Sequence, residues 1–187
     1  MDSKQSKHRA GLILQREGKV LILYGLPNRK WSFPKGTRET IDVRDNDDLT
    51  DLHTATRETL EETGLSKSMY HIHKKRVLHC FGRYFYGTII AQGPLFLQPN
   101  EILEYGWIDL ATGTLDIPNT TNKSCNSAVS MYLRLLRNKL QAVNRLPGTD
   151  RGELVGHRVM KDLKVQLVDK GKQGSGSVAT SLSTPWR

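Results

Sequence analysis

The chain has 187 residues, 37% of them hydrophobic and 25% charged, with 28 Lys+Arg against 19 Asp+Glu and a formal net charge of +9. That length suits one domain with a core plus a tail; no apolar run approaches the roughly 18 residues of a membrane span, and the start, MDSKQSKHRAG, lacks a secretory apolar stretch, so a cytoplasmic or nuclear protein with no membrane contact is expected. The positive balance favours a phosphate-bearing partner such as RNA or a nucleotide, and Cys80 and Cys125 share neither CxxC nor zinc spacing, which leaves two free thiols.

His8 to Gln15 and Val20 to Gly25 are short β-branched apolar runs with Gly18 between them, the pattern of a β-hairpin. LPNRKWSFPKG follows as a loop with one short extended piece, and the polar stretch from Gly36 to Leu49 reads as loop. A helix is predicted from about Thr50 to Thr63, with Leu52, Ala55, Thr56 and Thr59 as its inward stripe, Asp48 or Thr50 as cap and Gly64 as the left-handed residue that ends it. Two or three strands follow, the clearest from Phe85 to Ala91, then a short one over Gly106 to Leu110. Ser124 to Val143 reads as a second helix with Val129, Tyr132, Leu133, Leu136 and Leu140 on its apolar face. Residues 1–147 therefore form the domain and 148–187 a basic extension: ELVGHRVMKDLKVQLVD suits a short strand or helix, and the Gly/Ser-rich end is expected to be disordered. Strands between two helices predict an α/β fold with a mixed sheet between helices.

Glu58, Glu61 and Glu62 stand at i, i+3 and i+4, on one face of the first helix. Such carboxylates repel, and they sit near a helix C-terminus, where the macrodipole disfavours negative charge. Broken local rules tend to coincide with functional sites. Clustered hard oxygens suit Mg²⁺ or Mn²⁺, which takes carboxylates together with waters and substrate phosphates; the plainer reading is a solvated acidic face.

RETLEETGL, Arg57 to Leu65, resembles the second half of the Nudix box, G-x5-E-x7-R-E-U-x-E-E-x-G-U with U a bulky apolar residue, and WSFPKG, Trp31 to Gly36, resembles the segment that leads into it. The resemblance covers residues 8 to about 143 and implies an α/β/α sandwich and a divalent-metal-dependent pyrophosphohydrolase. It implies that Glu61 and Glu62 bind metal, that Glu58 binds metal or serves as base, that Arg57 orients the glutamates, and that the Gly36 carbonyl joins the metal shell. Nudix enzymes often recruit a further acid from a later loop, for which Glu101 and Glu104 are candidates. The box also departs from the pattern: Gly36 and Arg57 are 21 positions apart, seven more than the consensus, and Thr59 occupies an apolar slot. Counted back from Arg57, the first box glutamate falls on Leu49, with Asp47, Asp48 or Asp51 as stand-ins.

The box is silent on the substrate. WSFPKG is similar to the W-x-F-P-K-G of mRNA-decapping catalytic subunits and to segments of dinucleoside-polyphosphate and diphosphoinositol-polyphosphate hydrolases, so RNA cap hydrolysis is the leading expectation and those two the next. A Nudix-fold RNA-binding protein without catalysis is the alternative from another class. Trp31, Lys35, Arg9 and Glu104 are the candidate substrate contacts. Lys35 would act as a point charge on phosphate, and Trp31, Tyr84, Phe85 and Tyr86 are aromatic residues that could stack on a base. Lys74 to Arg76, Arg83 and the basic residues from Lys123 to Arg145 could track RNA.

Overall fold

The computed structural model describes residues 8–119 and 121–144. The expected extension, 148–187, lies outside the described residues. The elements run β1 (Arg9–Arg16), β2 (Lys19–Gly25), β3 (Lys30–Ser32), β4 (Lys35–Thr37), a 3₁₀ turn (Thr40–Asp42), α1 (Asp47–Thr63), β5 (Tyr70–His79), β6 (Arg83–Ile89), β7 (Ile102–Asp109), β8 (Leu115–Asp116) and α2 (Ser127–Asn144). The strands lie in the order β5-β6-β1-β2-β7-β8, with β3 added to β2 and β4 to β1. β1 and β6 are parallel and the other pairs antiparallel, so the sheet is mixed.

β1 and β2 are covered on both faces, which is why their sequences read as unbroken apolar runs. Leu12, Leu14, Leu21 and Leu23 face the layer that holds Ala55 of α1. Ile13, Val20, Ile22 and Tyr24 face Val129, Tyr132, Leu133 and Leu136 of α2. The result is the α/β/α sandwich expected from the sequence.

α1 differs from expectation in start and in face. It begins at Asp47, capped by Asn46, whose side chain accepts from Leu49 N; Asp48 and Thr50 lie inside it. Its buried positions include Thr50, Thr54, Ala55, Glu58, Thr59, Glu62 and Thr63, while Leu52 and Thr56 are only partly buried. A face rich in threonine can be buried because each hydroxyl has a local acceptor: Thr54 donates to Thr50 O at 3.0 Å, Thr59 to Ala55 O at 2.8 Å and Thr63 to Thr59 O at 2.6 Å. That rotation of the helix carries Glu58 and Glu62 inward. Gly64, at φ 71°, ends α1 as predicted, with its N–H on Leu60 O and Leu65 buried beyond it.

Candidate active site

β3, β4, the start of β7 and the C-terminal half of α1 enclose a cleft of about 830 Å³. The box glutamates Glu58, Glu61 and Glu62 line it, with Arg57 and Gly36 beside them. Glu101, just before β7, joins the same wall, and Arg9, Lys30 and Lys35 supply cations. Eight of the ten residues singled out in the sequence thus meet in one place, although they come from four segments of the chain.

Glu62 is buried at 6% exposure, and its Oε2 accepts from the Lys35 backbone N–H at 2.9 Å. Burial pushes its carboxyl up to about 8; Glu58 and Glu101 push the same way, and the Lys35 charge and N–H oppose them. Burial also raises Glu58, against the pull of Arg57. Arg57 Nη2 donates to Glu58 Oε1 at 2.8 Å, and its Nη1 to the more exposed Glu61 Oε2 at 2.9 Å. Gly36 owes its place to Glu58: a Cβ there would lie 1.8 Å from the Glu58 Cδ.

The stand-in for the first box glutamate is Asp42, not Asp47, Asp48 or Asp51. Asp42 is wholly buried, and it takes Arg57 Nε on Oδ1 and Nη2 on Oδ2, each at 3.0 Å. The three other aspartates serve different arginines: Asp47 and Asp51 accept from Arg38 at 2.9 and 2.8 Å, and Asp48 and Asp51 accept from Arg83. Counting forward from Gly36, the consensus glutamate falls on position 42. The seven extra residues therefore lie between Asp42 and Arg57, a span that holds the approach to α1 and its first turns.

Two of the expected substrate contacts lie elsewhere. Trp31 is fully buried, its Nε1–H donates to Asn122 O at 2.8 Å, and its ring packs 5.2 Å from that of Tyr24. It has no face to offer a base, and Tyr84, Phe85 and Tyr86 are likewise buried. Glu104 lines a separate pocket of about 310 Å³ with Tyr24, Arg29, Leu103 and Thr121, next to the register shift where β7 pairs with Tyr24 and Gly25 of β2. Sequence reasoning missed Lys30, which carried no motif.

Among the described residues, no three acidic, His or Cys side chains converge as a preformed metal centre. The donor set nonetheless fits a hard divalent cation: four carboxylates share one wall, and two of them are buried beside like charge. Arg57 occupies Glu58 and Glu61 as the side chains stand.

A family model described as the NUDIX domain matches residues 5–124. The chain belongs to the Nudix family. Among solved structures, this Nudix protein is similar in fold to a C. elegans Ap4A hydrolase binary complex, with TM-score 0.50 and 20% identity over 74% of this chain and 99% of that one. It is similar also to a NUDIX hydrolase from Nitrosomonas europaea, with TM-score 0.50 and 21% identity over 80% of this chain and 78% of that one. No curated protein matches it. Nudix enzymes are pyrophosphohydrolases that use divalent metals and act on phosphate-containing nucleotides, and membership assigns this chain to that class. Among the described residues, no helix is long and apolar enough to cross a membrane.

Proposed function

We propose that this Nudix pyrophosphohydrolase cleaves a polyphosphate bridge joining two nucleosides, the chemistry shared by the 5′ cap of RNA and by dinucleoside polyphosphates. The observation that carries this reading is that the carboxylates of α1 and the cations Arg9, Lys30 and Lys35 line one cleft. The carboxylates suit a metal; the cations suit phosphates beyond the one attacked.

Glu58, Glu61 and Glu62, with Glu101 and Gly36, would hold Mg²⁺ or Mn²⁺. The bound ion supplies charge neutralisation at phosphate and a more acidic water. The chain's own part is to bind and orient. Lys35 presents its N–H to Glu62 and its ammonium to the cleft, so one residue links the acid wall to the phosphate path. Arg9 and Lys30 extend that path as fixed charges that oppose the charge developing on phosphate oxygens. Arg57 keeps Glu58 and Glu61 apart and aimed.

No aromatic side chain lines the cleft among the described residues. This favours recognition through the bridge over recognition by base stacking, and it counts against cap reading by Trp31. The buried acids oppose a purely RNA-binding role, since a carboxylate buried without a cation is costly.

The test is a product analysis with Mg²⁺ or Mn²⁺ on capped RNA, a dinucleoside tetraphosphate, ADP-ribose and an inositol pyrophosphate, with the wild type and Glu62→Gln. Cleavage of capped RNA or the dinucleoside substrate, lost in the variant, supports the reading, and the better of the two substrates decides between them. Preference for the inositol pyrophosphate or ADP-ribose overturns the bridge assignment. RNA binding with no hydrolysis by either protein establishes the binding module instead.

A further inference from the structure

We propose that His53 is a positioning residue for the metal-binding glutamates, acting through Asp42 and Arg57. The inference rests on the metal-dependent reading of the cleft.

His53 stands one helical turn before Arg57, on the same face of α1. Its Nδ1 lies 3.1 Å from Asp42 Oδ1. A carboxylate can only accept, so the imidazole proton sits on Nδ1 and is donated to Asp42. The same Oδ1 accepts from Arg57 Nε at 3.0 Å, while Oδ2 accepts from Arg57 Nη2 at 3.0 Å and from Glu39 N at 2.9 Å.

The carboxylate needs all of these bonds because of where it comes from. Aspartate is one methylene shorter than the glutamate of the box, so its main chain must approach α1 closely, and the 3₁₀ turn Thr40–Asp42 brings it there. That turn has no apolar anchor: Ile41 and Val43, on either side of Asp42, are exposed at 66% and 62%. Polar bonds from Arg57, His53, Thr54 and the Glu39 N–H hold the Asp42 carboxylate. The position of Asp42 in turn sets the plane of the Arg57 guanidinium, whose Nη1 and Nη2 reach Glu61 and Glu58. With the His53 bond gone, Asp42 has one holder fewer, and a tilt of the rigid fork moves both glutamates together. The relay runs from imidazole to carboxylate to guanidinium to two metal ligands, and His53 touches none of the reacting atoms.

The test is a Mn²⁺ titration of the full chain, followed through the electron paramagnetic resonance signal of the free ion. His53→Ala is expected to weaken Mn²⁺ binding by about tenfold, the low end of the range for outer-shell partners of metal ligands. His53→Asn places an amide donor near the Nδ1 position and is expected to bind within about twofold of wild type. Equal binding by wild type and His53→Ala overturns the proposal, as does a His53→Asn variant as weak as His53→Ala. A wild type that binds no Mn²⁺ overturns the metal-dependent reading itself, and the inference with it. Nitrogen-15 NMR of the wild-type imidazole needs no variant to fold: a proton on Nδ1 is expected, and one on Nε2 alone overturns the relay.

Discussion

Arg57 and Asp42 are joined at two points, Nε to Oδ1 and Nη2 to Oδ2, each at 3.0 Å, behind the wall that carries the glutamates. Asp42 has no exposed surface, and the Arg57 side chain is 14% exposed. Removing one partner of such a pair leaves a buried charge uncompensated. Asp42→Ala is therefore expected to lower stability by about 3–5 kcal/mol in urea unfolding and to reduce hydrolysis as Arg57 loses its orientation. Unchanged stability would mean that the pair is not formed in solution.

The same bond predicts a pH dependence. Burial pushes Asp42 up, but Arg57, the Glu39 N–H and His53 outweigh it and hold the carboxyl well below its ordinary 3.8. A depressed folded value stabilises the native state above the unfolded value and loses that contribution as pH falls. The stability difference between wild type and Asp42→Asn is thus expected to be flat above about pH 5 and to shrink progressively below about pH 4. Urea melts across that range check it, and a difference that grows on acidification contradicts the assignment.

Gly36→Ala places a methyl group 1.8 Å from the Glu58 Cδ, a separation no real contact allows. Either Glu58 swings out of the cleft or β4 shifts away from α1. Hydrolysis is expected to fall by about 10²-fold or more, the scale of losing one preorganised group at the reaction centre. Circular dichroism should be unchanged, and near-wild-type kcat in this variant would show that Glu58 is dispensable where it stands.

Glu62→Gln separates stability from activity. Glutamine keeps an oxygen for the Lys35 N–H but carries no charge into a buried site beside Glu58 and Glu101. Without metal, the variant should be more stable than wild type by on the order of 1–2 kcal/mol at pH 8, while hydrolysis is lost. Thermal melts in EDTA and turnover with Mn²⁺ measure the two effects; a variant that loses stability and keeps turnover contradicts the role given to this carboxylate.

Trp31→Phe addresses the aromatic expected to touch substrate. The change removes the Nε1–H bond to Asn122 O and part of a fully buried ring. It is expected to cost about 1–3 kcal/mol of stability and to leave KM for every hydrolysed substrate within about twofold, since a side chain absent from the cleft contributes no ground-state binding. A large rise in KM with stability intact would restore Trp31 to the substrate site.

The sequence by itself determined the features that local periodicity encodes. The three glutamates share a face because helical spacing is fixed at 3.6 residues per turn, Gly64 ends α1 because the chain there needs a left-handed residue, and the runs in β1 and β2 read as strands. Gly36, Lys35 and Glu101 were legible through the box and its neighbourhood. Tertiary structure decided the rest. Spacing back from Arg57 pointed to Leu49, because a loop of any length can join two residues that meet in space; only the folded turn shows that the surplus follows Asp42. The inward face of α1 also escaped periodicity, since its threonines satisfy themselves within the helix and can be buried as if apolar. Trp31 and Glu104 lie outside the cleft and Lys30 inside it for one reason. Which way a strand residue points is set by the partners of its sheet, and those partners are remote in sequence.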